Sequence, residues 1–427
     1  MKELNQNLLA FLDAGITAFH VVDTLKKTLL AEGYQELREH QSWSLDEGGK
    51  YFVVRGDSSL IAFRIPTMDF AGFMIAAGHS DSPTYKLRQD AEVSSPGNCV
   101  RLSVEPYGGM IHRSWMDRPL SVAGRVVVRE GDVLRTKLVN VDRDLLVIPS
   151  VAIHMDRNVN KGTELNPAVD LLPLFGSEPG KFRGLVAEAA GVKEEDVLST
   201  ELFLYPRVTA AFVGAEEEFI ASPRLDDLQC VFGCLEGFLA ADGSGSVPML
   251  CVFNNEEVGS GTRQGADSTF LTDVLERICR SKERYLTAAA NSFMVSADNA
   301  HAVHPAHPEY ADKQEAPVLN GGVVIKYNAN QRYTTDAVSA AVFTKLCQDA
   351  KVPVQRFSNR ADQPGGSTLG NISSAHLSIP AVDIGLPQLA MHSSYEVAGA
   401  KDTEYLVQVM TKFFAGSFRH TENGITL

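Results

Sequence analysis

The sequence contains few cysteines, lacks any long apolar run and carries no excess of basic residues. Its six cysteines include no CxxC pair, which argues against a zinc ribbon or a disulfide framework and favours reduced thiols in a cytoplasmic protein. No stretch of about 18 consecutive apolar residues occurs, so we expect no membrane-spanning helix. A net charge of −14 without a dense Lys/Arg patch argues against a nucleic-acid partner.

The N-terminal segment also lacks the basic-then-apolar layout of a secretion signal. Its apolar residues instead recur at helical spacing between Leu8 and Phe19, which predicts an amphipathic helix. Together with the reduced thiols, this pattern predicts a cytoplasmic location.

The chain length and the order of strand and helix signals predict the domain organisation. The 427 residues, 44% of them hydrophobic, suffice for about two or three domains. Strand and helix signals alternate at both ends of the chain, whereas residues 86–211 contain short β-rich segments separated by Gly, Asp or Pro. We therefore predict an α/β catalytic domain formed by residues 1–85 and 212–427, interrupted by an inserted β-rich domain at 86–211. Within the second catalytic part, residues 273–282 predict a single helix.

Two adjacent carboxylates follow an apolar run at residues 248–253, which predicts a buried strand of a parallel sheet. Glu256 and Glu257 stand just after the point where that strand should end, and in open α/β sheets ligands bind outside the carboxyl ends of the strands. One glutamate could hold a metal ion while the other faces a reacting water. A solvated acidic loop is the alternative interpretation.

His79 and Asp81 occupy another predicted strand end, after the apolar run at residues 70–77. A metal-bound histidine needs an acceptor for its second ring nitrogen, and a nearby carboxylate supplies one. The alternative is a histidine that serves only as a hydrogen-bonded polar residue.

Further acidic residues and a second histidine occur at comparable positions. Asp226 and Asp227 open a predicted helix, where capping is the alternative role. Asp298 follows an apolar run at residues 293–297, and His392 precedes the last predicted helix.

Five of these residues suit a pair of divalent metal ions: His79, Asp226, Glu257, Asp298 and His392. Two histidines and three carboxylates are ligands that zinc, manganese or cobalt accept. Two such ions lower the pKa of a bridging water, and a carboxylate that binds neither ion can take the proton. Glu256 fits that role. Because the residues are far apart in sequence, only a fold that brings strand ends together could assemble them.

Five short motifs occur in an order that resembles one peptidase family. They are GHSDSP (78–83), SPRLDD (222–227), NNEEVGS (254–260), SADNAH (296–301) and QLAMHS (388–393). With SWMDRPLSVAGRV (114–126) and VAIHMDRN (151–158) in the insertion, the sequence resembles the M18 metallopeptidases, the aspartyl aminopeptidase family, over nearly its whole length. The resemblance implies a fold of the dinuclear zinc peptidase type, in which a mixed sheet is flanked by helices.

The resemblance also implies a role for each site residue. It makes His79, Asp226, Glu257, Asp298 and His392 the ligands of two zinc ions per subunit, with Asp226 bridging and with cobalt or manganese as substitutes. It makes Glu256 the general base and Asp81 the carboxylate that orients His79. The implied reaction releases N-terminal residues from peptides with a free amino terminus, through attack by a metal-bridging hydroxide.

Substrate contacts and assembly are implied in the same way. Lys326 resembles a cation that would pair with an acidic N-terminal side chain, and the alternative is a strand-edge lysine. His154 resembles a residue that reaches a neighbouring subunit's active site, and the alternative is a polar residue of the β-rich domain. Family members dimerise through the inserted domain and form dodecamers. Separately, backbone amides of the Gly-rich turn at 365–370, at Gly366 and Ser367, could face a substrate carboxylate.

The sequence leaves other functions open. The same chemistry could favour neutral N-terminal residues, as in some members of the family that the sequence resembles. Because a net charge of −14 would not attract acidic peptides at long range, an acidic preference would have to come from local cations. A related dinuclear enzyme, such as an N-acyl amino acid deacylase, would share the ligands without requiring a free amine. A non-enzymatic assembly protein on this fold would lack a ligand or the base, and the sequence retains them all.

Overall fold

The computed structural model describes residues 2–243, 245–363 and 365–427. The chain divides into two compact units. Met1–Asp81, Ala210–Met391 and Glu396–Leu427 form the first unit, and Ser82–Thr209 with His392–Tyr395 form the second. The second unit covers most of the predicted insertion at 86–211 and adds a short C-terminal segment that no sequence signal indicated.

Helices occur in both units, and along the first unit they alternate with strands. The helices of the described residues are α1 (Lys2–Ala14), α2 (Ala18–Ala31), α3 (Phe182–Ala189), α4 (Leu225–Ala240), α5 (Phe270–Cys279), α6 (Lys282–Ala290), α7 (Ala337–Ala350), α8 (Leu369–Ser373) and α9 (Asp402–Ala415).

The strands are mostly short. In chain order they are β1 (Gln35–Leu37), β2 (Lys50–Arg55), β3 (Ser59–Arg64), β4 (Phe73–His79), β5 (Thr84–Ser95), β6 (Cys99–Tyr107), β7 (Leu120–Glu130), β8 (Val133–Asn140), β9 (Leu174–Gly176), β10 (Val197–Pro206), β11 (Ala211–Val213), β12 (Phe219–Ser222), β13 (Val247–Phe253), β14 (Phe293–Ala297), β15 (Ala300–His301), β16 (Val323–Tyr327), β17 (Val354–Ser358), β18 (Ala381–Gly385), β19 (Pro387–Leu389), β20 (Glu396–Gly399), β21 (Arg419–Thr421) and β22 (Gly424–Thr426).

The single helix predicted at residues 273–282 is wrong, because two helices occupy this region. α5 ends before Arg280, whose φ of 62° lies in the left-handed region that ends helices. The side chain of Ser281 then caps α6 by accepting the backbone N–H of Arg284 at 3.2 Å.

A nine-stranded mixed sheet forms the centre of the first unit, in the order β1-β2-β3-β13-β4-β14-β18-β16-β17. The strands β13, β4, β14 and β18 pair in parallel, whereas β3 and β16 join them antiparallel. The predicted α/β fold with a mixed sheet flanked by helices is thus confirmed.

Helices cover both faces of this sheet, as the side chains of β4 show. Met74 and Ala76 belong to one hydrophobic core together with residues of α4, α7 and α9. Phe73, Ile75 and Ala77 belong to a second core with residues of α5 and α6. A strand that is apolar at successive positions is stable where both of its faces are covered, and every residue of β4 is buried.

The first unit also contains a five-stranded sheet, β11-β12-β20-β19-β15, and the hairpin β21-β22. The second unit is built on a six-stranded antiparallel sheet, β8-β7-β10-β5-β6-β9. Its own core includes Tyr85, Leu102, Val122 and Leu204. The second unit is therefore β-rich, with α3 as its one α-helix among the described residues.

Within the described part of the chain, no helix is both long and apolar enough to cross a membrane. The six cysteines are free thiols, and five of them are buried.

Candidate metal centre

The candidate site begins at the carboxyl ends of three neighbouring strands. β4 lies between β13 and β14, and the last residues of β13 and β4, Phe253 and His79, pair with each other. The segment from Asn254 to Glu257 continues β13, and Asp298 directly follows β14. Parallel strands therefore bring these side chains to one edge of the sheet.

The start of α4 supplies two more carboxylates. Asp226 and Asp227 are 3% and 0% exposed. The backbone N–H of Asp226 donates to Glu396 Oε2 at 3.1 Å. Asp227 Oδ2 accepts the backbone N–H of His79 at 3.0 Å, so this carboxylate ties the helix start to the end of β4. Among the described residues, Asp227 Oδ1 has no hydrogen-bond partner.

The acidic and imidazole groups form two overlapping sets of donor atoms. One ligand atom each from His79, Asp226 and Glu257 lie within 4.8 Å of one another, and so do atoms from Asp226, Asp227 and Asp298. Asp226 belongs to both sets. His79 Nε2 lies 3.4 Å from Asp226 Oδ1 and 3.9 Å from Asp298 Oδ1. Four of the five predicted ligands thus converge, together with Asp227, for which the sequence leaves capping as the alternative role.

His392, the fifth predicted ligand, lies in the short segment that groups with the second unit. Its backbone carbonyl accepts the N–H of Ile111 at 3.0 Å, and its φ is 65°. Its role as a ligand stays a prediction.

Asp81 contacts both the histidine and the glutamate pair. Its carboxylate oxygens accept the backbone N–H groups of Glu256 at 3.1 Å and Glu257 at 3.2 Å. His79 Nδ1 lies 3.1 Å from the Asp81 backbone carbonyl and 3.6 Å from the carboxylate. The shorter contact to His79 therefore involves the carbonyl, whereas the carboxylate positions the segment that carries Glu256.

Lys326 is a buried residue beside the same cluster. It is 3% exposed, and its ammonium lies 3.4 Å from Asp298 Oδ2 and 5.5 Å from the centre of the Tyr333 ring. Burial opposes the charge, but nearby groups, Asp298 first, outweigh it and raise the pKa of Lys326 above its ordinary value. The structure therefore places a charged, buried lysine against a predicted ligand.

Burial and neighbouring charges shift the pKa of several groups in the cluster. Burial, helped by neighbouring carboxylates, raises the pKa of Glu256 to about 8 and raises the pKa of Glu257 and of Asp227 well above their ordinary values. Burial would lower the pKa of His79, but its acidic neighbours outweigh burial and raise it. Carboxylates this deeply buried need compensating cations. Carboxylate oxygens and an imidazole nitrogen are donors that zinc accepts, so the site fits divalent metal ions.

The remaining predicted substrate contacts lie in exposed or polar segments. Ser367 Oγ donates to Asn371 Oδ1 at 3.0 Å, and a Cβ atom on Gly366 would meet no described atom within 4 Å. Thr368 Oγ1, next in the turn, donates to the buried Asp383 at 2.6 Å. His154 is exposed in the second unit. The roles of Gly366, Ser367 and His154 in binding substrate stay predictions.

Sequence reasoning missed residues that act through backbone contacts or through other polar side chains. Asp227 was visible as half of an acidic pair, but its bond to His79 spans 148 positions in sequence. Glu396 contacts Asp226 across 170 positions, and no local pattern marks that contact.

Comparisons with known proteins show the family of the chain. The family model described as aminopeptidase I zinc metalloprotease (M18) matches residues 11–414. A probable M18 family aminopeptidase 2 of Clostridium novyi is 44% identical over 421 residues, which cover 95% of this chain and 97% of that protein. A probable M18 family aminopeptidase 2 of Pseudomonas aeruginosa is 42% identical over 425 residues, covering 97% and 99%.

Solved structures share the fold. Ape4 in its cryo-electron microscopy complex with Nbr1 matches with a TM-score of 0.94 at 37% identity, covering 97% of this chain and 86% of that chain. The mApe1 dodecamer of S. cerevisiae matches with a TM-score of 0.85 at 26% identity, covering 96% and 95%.

Proposed function

The chain belongs to the M18 family of zinc metallopeptidases and is a metalloaminopeptidase, and we propose that it works with two zinc ions per subunit and with Glu256 as general base. The observation that carries this proposal is the sharing of Asp226 between two sets of donor atoms. A carboxylate with two oxygens can bridge a pair of ions, and each set adds its own donors. Cobalt or manganese would be accepted by the same donors.

The chain's own groups have distinct parts in the proposed reaction. His79 and Glu257 would hold one ion, Asp298 would hold the other, and Asp226 would bridge them, with His392 as the fifth ligand. When bound, two zinc ions lower the pKa of a water molecule and polarise a peptide carbonyl. Glu256 takes the proton of the attacking water and passes it to the leaving amine.

The positions of these groups are fixed by neighbours that need not touch the ions. Asp81 holds the backbone of Glu256 and Glu257, and Asp227 holds the backbone of His79. Positioning of this kind keeps the base within reach of the reacting water throughout the cycle.

We propose that the substrates are peptides with a free amino terminus and that acidic N-terminal residues are preferred. Support comes from the buried ammonium of Lys326 beside the cluster. Because Lys326 already contacts Asp298 at 3.4 Å, an acidic substrate side chain would share this cation with a ligand. The alternative is a preference for neutral N-terminal residues. In that case the Lys326 ammonium pairs with Asp298 alone.

We also propose a homo-oligomer, built from dimers through the second unit and assembled to a dodecamer. Support comes from the similar mApe1 structure, which is a dodecamer. In such an assembly His154 would reach the active site of a neighbouring subunit. A cytoplasmic location completes the proposal and is consistent with six free thiols.

A substrate panel tests the proposed function. Asp-, Glu-, Leu- and Lys-p-nitroanilides are assayed with added zinc, cobalt or manganese and with a chelator. We expect chelator-sensitive cleavage that is fastest for Asp or Glu. Fastest cleavage of Leu would discard the acidic preference and keep the mechanism. Hydrolysis of N-acetyl amino acids without cleavage of any free-amine substrate would favour the deacylase.

A further inference from the structure

Asn299 is the centre of a buried hydrogen-bond network behind the metal centre. It directly follows Asp298, and its side-chain Nδ2 donates to Gln229 Oε1 at 3.0 Å and to Gln388 Oε1 at 2.7 Å. Its Oδ1 accepts the Cys230 thiol at 3.0 Å. None of these four side chains is more than 2% exposed, so water cannot readily replace a lost bond.

One branch of this network returns to the shared carboxylate residue. Gln388 Nε2 donates to Glu396 Oε1 at 3.5 Å, and Glu396 Oε2 accepts the backbone N–H of Asp226 at 3.1 Å. Glu396 is 2% exposed. Asp226 is therefore linked, through Glu396 and Gln388, to the residue that follows Asp298.

The other branch anchors the network in the fold. Gln229 lies three positions after Asp226 on α4, and its Nε2 donates to the buried hydroxyl of Thr403 on α9 at 3.0 Å. Each of the three side-chain amides in the network uses its oxygen as acceptor and its nitrogen as donor. Rotating any one of them would break bonds on both sides, so the network has one satisfied arrangement.

We propose that this network positions Asp226 and Asp298 relative to each other and thereby sets the affinity of the zinc ion that Asp298 would hold. The inference rests on the proposed function, because it takes Asp226 and Asp298 as ligands of that ion. The other ion would share Asp226, but its remaining donors are held outside the network: Asp81 accepts the backbone N–H of Glu257, and Asp227 accepts that of His79. Because Asn299 directly follows Asp298, loss of the network should weaken the ion held by Asp298 more than the other.

The test is a zinc titration of the full-length, metal-stripped protein in competition with a chromogenic chelator. The wild type should show two zinc-binding events, and Asp298→Asn identifies the event that depends on Asp298. For Asn299→Leu we expect that event to weaken by about 10- to 100-fold while the other stays within about threefold, the range seen when groups that support metal ligands are removed.

A matched control separates positioning from general destabilisation. Asn5 in the same unit is also 2% exposed, and its Nδ2 donates to the Ala400 carbonyl at 2.6 Å. Asn5→Leu should lower Tm as Asn299→Leu does and leave both zinc affinities unchanged. If Asn299→Leu fails to fold, Gln388→Met interrupts the same branch at similar side-chain volume.

Three outcomes would overturn the inference. Retention of both affinities in the network variants would give the network a purely structural role, and an equal fall of both affinities would remove its selectivity. A wild-type protein that binds fewer than two zinc ions would instead contradict the proposed two-metal centre, and the inference would fall with it. The first two outcomes leave the proposed function intact.

Discussion

At the residue scale, neighbours in sequence have different surroundings in the site. Asp226 belongs to both donor sets, whereas Asp227 also supports the backbone of His79. Glu257 belongs to a donor set, whereas Glu256 belongs to none among the described residues, although both of their N–H groups bind Asp81. Adjacent acidic residues thus have different contacts, and in the proposed mechanism Glu257 binds metal whereas Glu256 takes the proton.

Replacement of Glu256 tests this separation. Glu256→Gln keeps the size and the backbone contact to Asp81 but cannot take a proton, so we expect kcat to fall at least about 100-fold, the range for loss of a general base. Zinc content by elemental analysis should stay at the wild-type value. Glu217→Gln, an exposed change in the same unit, should leave both quantities unchanged. Near-normal turnover of Glu256→Gln with full zinc would remove Glu256 from the role.

At the element scale, the approach of β18 to the end of β14 leaves no room for a side chain. A Cβ atom on Gly385 would lie 2.1 Å from the backbone oxygen of Asp298 and 3.0 Å from Lys326 Cε. The Asp298 N–H also donates to the Ile384 carbonyl at 3.1 Å. The strand that neighbours a proposed ligand therefore helps to fix where that ligand lies.

Gly385→Ala should disturb the candidate metal site, although Gly385 belongs to neither donor set. Because the added methyl group must displace Asp298, we expect a loss of zinc and activity, with a fall of about 1–3 kcal/mol in the free energy of unfolding, as for other overpacked sites. Elemental analysis and urea unfolding measure both effects. Gly109→Ala, where a Cβ atom meets no described atom within 4 Å, is the control. Full zinc and activity in Gly385→Ala would contradict the argument.

Short-range sequence patterns predicted the strands and their ends better than they predicted the long-range hydrogen bonds around the site. The apolar run at 293–297 coincides with β14, and the run at 248–253 lies within β13, because a buried strand needs apolar residues along its whole length. The helix break at Arg280 was missed because it depends on a left-handed residue with no glycine to mark it. The network around Asn299 was missed because its bonds join residues about 70 to 90 positions apart, and a local pattern carries no such information.

A histidine at the N-terminus of α2 makes the free energy of unfolding depend on pH. His20 lies in its first turn, and its Nδ1 is 2.8 Å from the Thr17 hydroxyl. Burial lowers the pKa of His20 from 6.5 to about 4, and the positive end of the helix dipole acts in the same direction. Since the unfolded chain binds the proton first, the contribution to stability is present above pH 6.5 and is lost as the pH falls toward 4.

His20→Gln should remove this dependence. Because the ring is partly exposed, we expect the wild type to lose about 2 kcal/mol more unfolding free energy than the variant between about pH 7.5 and pH 4.5. Urea unfolding of the zinc-free protein measures the difference without interference from metal release. His420→Gln, at an exposed position, should behave as the wild type. Equal acid sensitivity in His20→Gln and the wild type would contradict the assignment.

At the scale of the whole molecule, the second unit exposes apolar side chains around His154. Val151, Ile153 and Met155 are 53%, 48% and 82% exposed. Clustered apolar exposure of this kind suits contact with another protein surface. A neighbouring subunit is the partner that the proposed oligomer supplies, and the same contact would carry His154 toward that subunit's active site.

Complementation between two inactive variants tests this arrangement. If each active site takes Glu256 from its own subunit and His154 from a neighbour, then His154→Ala and Glu256→Gln should each be nearly inactive with full zinc. Random pairing of the two in equal amounts should restore about a quarter of wild-type activity, because half of the dimers are mixed and each has one complete site. Asp226→Ala mixed with Glu256→Gln should restore none, since both changes affect residues that a single subunit supplies. No recovery for the His154 pair, once native mass spectrometry shows mixed oligomers, would mean that His154 does not act across the subunit boundary.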